Sequence, residues 1–166
     1  MYRAFRWTPS GGMQSLGTLG GIYSFAHAIC ADGTTVVGLS GDSVGRGRAF
    51  RWSASVGMQD IGTLGGGSSQ ANGVSADGLV VVGVASDQSG QVLAFRWSAS
   101  TGMQSLGTLG GAESEARAAN ADGSVIVGWS LDAAGQRRAF RWTVGAGMMN
   151  LGTLTGFERY TDAYGI

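Results

Sequence analysis

Hydrophobic and polar residues alternate along short stretches of this chain, and the same stretches return every 45 residues. One stretch is Ala-Phe-Arg-Trp, at 4–7, 49–52, 94–97 and 139–142. Its alternation puts Phe and Trp on one face of a strand and Ala and Arg on the other. A second stretch starts with Gly-Met, eight residues after the first one begins, and ends in Gly-Thr-Leu. Each stretch predicts a short β-strand.

Two further strands are predicted in each 45-residue unit. The third lies near 23–30 and ends in Ala-Asp-Gly; the fourth is a run of mainly β-branched residues at 34–39. An Asp-Gly pair between two strands is a strong hairpin signal, because Gly adopts positive φ without steric cost. In the second copy both faces of the fourth strand are apolar, as Val80 to Val84 show. A strand that is buried on both faces must lie in a sheet packed between two neighbours.

Four antiparallel strands in about 45 residues, stacked sheet against sheet, predict β-propeller blades. No window has the i, i+3, i+4, i+7 apolar spacing of a helix. We therefore predict an all-β domain of tandem four-stranded antiparallel blades, forming a partial propeller or one that is completed by oligomerisation. A β-solenoid is the alternative architecture.

The period also predicts how the chain divides. Residues 1–166 form a single repeat domain with units at 4–48, 49–93, 94–138 and, incomplete, 139–166. Since the Asp-Gly turn ties the third and fourth strands together, complete blades are predicted at 24–64, 69–109 and 114–154. Residues 1–19 and 159–166 are then the two parts of a split blade.

Composition narrows the range of partners. The formal net charge is zero and only 13% of the residues are charged, which argues against nucleic acid or an anionic membrane surface as a partner. The 31 Gly and single Pro fit many short strands joined by tight turns. No apolar run approaches the ~18 residues of a membrane span. The first residues lack a signal-peptide pattern, and Cys30 is the only cysteine.

The recurring residues are expected to be architectural. The Asp-Gly turns should be shaped by the Asp side chain, although a ring of acidic ligands is the alternative. The Arg of Ala-Phe-Arg-Trp should stack on an aromatic ring of the adjoining copy and pair with a recurring Asp. Neither the turns nor His27 has the spacing of a metal site, so we expect no metal and no cofactor. The structural set is Phe5, Trp7, Phe50, Trp52, Phe95, Trp97, Phe140, Trp142, Asp32, Gly33, Asp77, Gly78, Asp122 and Gly123.

The third strand contains the positions that do not repeat. Residues 24, 26 and 28 and their copies stay small, whereas residues 23, 25 and 27 and their equivalents differ from copy to copy. The small set is expected to pack closely, and the variable set to face a channel or an end face of the propeller. We aligned 158, 160 and 162 with 23, 25 and 27 in the last copy. The candidate contact residues are Phe25, His27, Gln70, Asn72, Glu115, Arg117, Tyr160 and Asp162.

The repeat resembles a known family. Ala-Phe-Arg-Trp, the decapeptide Gly-Met-Gln-Ser-Leu-Gly-Thr-Leu-Gly-Gly at 12–21 and 102–111, Ala-Asp-Gly and Val-Val-Gly resemble the bacterial extracellular repeats of the HAF family. The resemblance covers essentially the whole chain. The His that gives the family its name is replaced by Arg3, Arg48, Leu93 and Arg138. The resemblance implies a secreted or surface-exposed bacterial protein with no assigned activity.

Three functions are compatible with these patterns. The first is a non-enzymatic scaffold that presents a protein- or glycan-binding surface. The second is a glycan hydrolase or lyase at the channel mouth, which would need paired carboxylates such as Glu113, Glu115, Glu158 or Asp162. The third is a purely structural stalk. Both ends of the chain begin or end within a repeat and lack polar caps, which predicts self-association or a longer parent array.

Overall fold

The computed structural model describes residues 1–154 and 160–166, which contain fourteen β-strands. The strands are β1 Phe5–Thr8, β2 Gly12–Ser15, β3 Gly20–Ile29, β4 Thr35–Asp42, β5 Gly47–Ser53, β6 Gly57–Asp60, β7 Gly65–Val74, β8 Val80–Asp87, β9 Val92–Ser98, β10 Gly102–Ser105, β11 Gly110–Ala119, β12 Val125–Asp132, β13 Arg137–Thr143 and β14 Gly147–Asn150. None of the described residues forms a helix long and apolar enough to cross a bilayer.

The strands form three four-stranded sheets, β3–β6, β7–β10 and β11–β14, and a two-stranded sheet, β1–β2. In every sheet each strand is antiparallel to its neighbour in sequence. The sheets pack face to face as successive blades. The prediction of an all-β, partial propeller of four-stranded antiparallel blades is confirmed, and the solenoid alternative is wrong.

The sheets begin about four residues before the predicted blades. The first strands start at Gly20, Gly65 and Gly110, because the Gly-Gly pair already lies against the end of the neighbouring strand. A Cβ at Gly21 would lie 2.6 Å from the backbone carbonyl of Gly41, so only glycine allows this approach. In the split blade, residue 159 lies outside the described residues, and Thr161 donates its N–H to Arg137 O beside the third sheet (3.0 Å).

A hydroxyl group joins each blade to the next. The Oγ of Ser69 accepts the Ala49 N–H from the preceding sheet (2.9 Å) and donates to Gly62 O (2.6 Å). Ser24 and Ser114 make the same pair of bonds in their own repeats. The small residue at this position is therefore selected by hydrogen bonding as well as by space.

The core lies between the sheets. Phe50, Phe95 and Phe140 are fully buried, each packed between its own sheet and its neighbours. Along β4, β8 and β12 almost every residue is buried or half-buried, as the apolar character of both faces predicts. The copy on β1 differs, because Phe5 remains 52% exposed.

Each first strand contains a β-bulge. In β3, Ala26 pairs with Gly38 and Ala28 with Val37, so His27 is the extra residue. Equivalent register shifts place Asn72 and Arg117 at the bulges of β7 and β11. The bulge brings a carbonyl oxygen against the facing strand: a Cβ at Gly38, Gly83 or Gly128 would lie 2.0 Å from it. Glycine at these three positions is therefore a steric requirement.

The recurring Asp and Arg residues also have structural contacts. Asp32 Oδ1 accepts the Thr34 N–H (2.9 Å) and the Cys30 thiol (2.9 Å), and these bonds, the thiol's first, lower the pKa of Asp32 to about 2. Arg6 stacks over the Trp52 ring (4.7 Å) and donates to Gly33 O (3.5 Å).

The predicted Arg–Asp pairing is wrong for the first three copies that the structure describes. Arg51 and Arg96 likewise donate to the glycine carbonyls of the next Asp-Gly turns, Gly78 O and Gly123 O. In these turns the Asp Oδ1 accepts a backbone N–H two residues later: Asp77 Oδ1 from Leu79 and Asp122 Oδ1 from Ser124. The arginine bonds to the glycine carbonyl of the same turn instead.

Candidate functional site

The first strands of the three four-stranded sheets, β3, β7 and β11, are the inner strands of the blades. Two of their bulged side chains, His27 and Asn72, contact the next inner strand. His27 Nδ1 lies 2.8 Å from Ala71 O, and Asn72 Nδ2 donates to Ala116 O (2.9 Å). A carbonyl oxygen only accepts, so His27 Nδ1–H is the donor in this hydrogen bond. Bulges commonly re-aim a side chain in this way. The bulges therefore gather non-repeating residues on the inner strands.

Glu115 is the centre of a polar network. Its Oε1 accepts Asn72 Nδ2–H (3.1 Å) and lies 3.6 Å from an Arg117 nitrogen. Its Oε2 accepts the Trp129 indole N–H (3.1 Å). Gln70 Nε2 donates to Asn72 Oδ1 (2.8 Å), which fixes the amide orientation. Glu115 is thus held by donors from two sheets, and its negative charge is compensated.

Arg117 is the least satisfied member of the network. Its Nε–H is buried and has no hydrogen-bond partner among the described residues. The guanidinium lies over the Tyr164 ring, 4.5 Å from its centroid, and such stacking stabilises the cation. A buried donor without an acceptor costs about 1–3 kcal/mol, and a ligand oxygen that bonds to this N–H after a shift of the Arg117 side chain would remove that cost.

The final segment contributes a residue that the sequence alignment missed. Thr161 Oγ1 accepts the Ala139 N–H (2.9 Å) and donates to Gly152 O (3.2 Å), the bonds that Ser69 makes in its repeat. The last copy is therefore offset by two residues, and Tyr164, not Asp162, is equivalent to His27. The alignment of 158, 160 and 162 with 23, 25 and 27 is wrong. The signal was present, since Thr161 and Ala163 reproduce the Ser-x-Ala spacing.

Asp162 and Tyr160 connect the final segment to Arg137 of β13. Asp162 Oδ1 accepts Arg137 Nε–H (2.6 Å), and Oδ2 accepts the Tyr164 hydroxyl (3.2 Å). Arg137 also covers the Trp129 ring at 3.9 Å. Tyr160 forms a parallel bridge to Arg137 and leaves its side chain 70% exposed.

The bulged residues and the Glu115 network surround one depression of about 290 Å³ on the inner strands. Five of the eight predicted contact residues line it together with Tyr164, whereas Phe25, Tyr160 and Asp162 do not. Phe25 instead packs beside Tyr2 and Tyr23, with ring centroids 5.6 and 5.8 Å apart. The lining residues are His27, Gln70, Asn72, Glu115, Arg117 and Tyr164.

The site offers little for acid–base or metal chemistry. The carboxylate oxygens of Glu115 and Asp162 are engaged by donors, as described above, and Glu113 is exposed. Glu158 lies outside the described residues. Within 1–154 and 160–166, no group of three His, Cys, Asp or Glu side chains could hold a metal ion.

The fold is similar to that of bacterial TolB structures. A structure titled putative TolB from Agrobacterium tumefaciens superposes with a TM-score of 0.67 at 16% identity, over 92% of this chain and 62% of that one. TolB from Acinetobacter baumannii gives 0.61 at 14% identity, over 88% and 37%. The chain thus spans less than two thirds of either TolB chain. No family model and no curated protein sequence matches it.

Proposed function

We propose that the chain is a non-enzymatic binding module whose contact surface is the polar depression on the inner strands. One observation carries this: six side chains at non-repeating positions of the inner strands and the final segment line a single depression. The residues that repeat build the blades, their turns and their clamps. A concave surface with several converging polar side chains on a rigid scaffold is typical of a binding site.

The free groups at the site favour a partner rich in hydrogen-bond acceptors. Arg117, whose Nε–H has no partner among the described residues, and Tyr164, which is 68% exposed, both line the depression. Aromatic residues and arginine dominate the binding energy of protein interfaces. A protein partner that presents carbonyl or carboxylate oxygens is therefore our first choice.

A glycan is the second candidate. The depression is small and polar, and its lining includes Gln70 and the exposed Tyr164, whose ring lies against the Arg117 guanidinium. Planar polar groups next to an aromatic face can bind both the hydroxyls and the apolar faces of a sugar. A hydrolase or lyase is less well supported, because Glu115 and Asp162 are held by other side chains.

The proposed cellular setting rests on the sequence resemblance. The resemblance to HAF-family repeats supports a secreted or surface location in a bacterium. The exposed Phe5 and Trp7 on β1 support assembly with further repeats, in a parent array or by association with another chain.

The proposal is tested by comparing binding of the parent chain, Arg117→Ala, Tyr164→Ala and a control, Val56→Ala, whose side chain is exposed in a distant hairpin turn. Each chain is assayed against a glycan array and against cross-linked surface proteins of a bacterium that encodes such repeats. The Trp129 indole N–H, bonded to Glu115, gives an NMR signal at the site.

A partner that binds the parent and Val56→Ala equally, loses about tenfold or more affinity with both site variants, and shifts the Trp129 signal supports the proposal. The class of partner found separates protein from glycan. A partner that binds all four chains equally contradicts the assignment of the surface. The absence of any partner in both assays leaves a structural stalk.

A further inference from the structure

The two-stranded sheet has a free edge along β1. Among the strands that the structure describes, β1 pairs with β2 alone, whereas its copies β5, β9 and β13 each lie between two strands. Leu16 N–H donates to Ala4 O (2.9 Å), so Ala4 points toward β2. Alternate residues of an antiparallel strand direct their backbone groups to opposite edges. The N–H and C=O groups of Phe5 and Trp7 therefore face the free edge.

An apolar groove runs along this edge between β1 and β3. It has a volume of about 260 Å³ and is lined by Phe5 and Trp7 on one side and by Ala26, Ala28 and Ile29 on the other. Phe5, Trp7 and Ile29 are 52%, 62% and 54% exposed. Large apolar side chains gathered around one groove mark an interaction surface.

The three internal copies show which kind of strand fits such a groove. β4 and β8 lie beside β5 and β9 and against the inner strands β7 and β11 of the following blades, and β12 lies beside β13. Val37 of β4 belongs to the same buried cluster as Ala71 of β7. Each of these strands has three β-branched residues followed by a glycine, and the glycine pairs with the buried Phe. The pairs are Gly38–Phe50, Gly83–Phe95 and Gly128–Phe140.

We propose that the free edge of β1 is an acceptor site for an extended strand of a partner repeat protein, with three β-branched residues followed by glycine. The glycine would lie opposite Phe5, because a Cβ at Gly38 would be 3.0 Å from the Phe50 ring. A second copy of this chain is disfavoured as the donor, since its own strands of this type are held between two neighbours. Addition of a strand to an exposed edge is an established mode of recognition.

The experiment uses the full chain and a nonapeptide with the sequence of residues 34–42 as the probe. Amide hydrogen exchange is followed at Phe5 and Trp7, with and without the peptide. A control peptide contains Gly38→Val. The protein variants are Phe5→Ala, which removes the ring that lines the groove, and the control Val56→Ala, which removes a 61% exposed side chain from the turn between β5 and β6. Light scattering gives the mass of the chain without peptide.

The expected result is slower exchange at Phe5 and Trp7, with binding weakened about tenfold or more by Phe5→Ala and by the Gly38→Val peptide. Val56→Ala should bind as the parent does. The proposal is overturned if the peptide leaves β1 exchange unchanged, or if the Gly38→Val peptide binds equally well. It is also overturned if the chain alone is a dimer with β1 already protected, because a second copy is then the occupant.

Discussion

The hydroxyl clamp between blades leads to the most direct prediction, made for Ser69→Ala. Ser69 is 4% exposed, and its Oγ both accepts the N–H of the fully buried Ala49 and donates to Gly62 O. Alanine fits the space but leaves that N–H without an acceptor. A buried unsatisfied polar group costs about 1–3 kcal/mol. With the loss of the bond to Gly62, we expect the free energy of unfolding to fall by about 2–3 kcal/mol.

Urea denaturation at neutral pH measures this change, and thermal melting is the companion assay. For a chain of this size each kcal/mol lowers Tm by about 2–4 °C, so Tm should fall by about 4–12 °C. Ser68→Ala is the matched control, because Ser68 is the exposed neighbour on the same strand. The Ala49 amide should also exchange faster in Ser69→Ala. If Ser69→Ala and Ser68→Ala have the same stability and the same Ala49 exchange, the clamp does not stabilise the contact between blades.

Three further predictions concern the bulge, the core and the turns. Gly83→Ala, which puts a Cβ 2.0 Å from a carbonyl oxygen, should lose about 3 kcal/mol or fail to fold, whereas Gly67→Ala, with open space around it, should melt as the parent does. Phe95→Ala should lower the free energy of unfolding, measured in urea, by about 3–5 kcal/mol, because Phe95 is fully buried. Phe5→Ala should lower it by less than about 1 kcal/mol, because Phe5 is half exposed. Tm should fall as the pH is lowered from about 4 toward 2. The fold lowers the pKa of Asp32 to about 2, so in this range Asp32 binds a proton in the unfolded chain more readily than in the folded one. Asp32→Asn should make Tm less dependent on pH in this range.

Much of the architecture could be predicted from the pattern alone. The number of strands in each repeat, their antiparallel order and the double burial of β4, β8 and β12 follow from alternation, β-branched runs and Asp-Gly turns. The predicted blades start about four residues later than the sheets do, because Gly20-Gly21 has the sequence of a turn. In the structure this pair lies against β4 at a distance that only glycine allows.

Less of the candidate site could be predicted. Five contact residues were found from their failure to repeat, because side chains that do not build the blade are free to differ. The bulges at His27, Asn72 and Arg117 were missed, although the glycine in each facing strand was their signal. Tyr164 was missed because a fixed 45-residue spacing was applied to a copy that is offset by two.

The repeating unit can be read from the sequence: local alternation sets which face of a strand is buried, and Asp-Gly sets where the chain reverses. Both depend on neighbours a few residues away. The packing of the sheets was needed to show that Ser69 bonds across blades, that Glu115 is held by Asn72 and Trp129, and that Arg117 Nε–H has no acceptor among the described residues. Those contacts join residues that are more than ten positions apart, and their partners are chosen by how one sheet packs on the next.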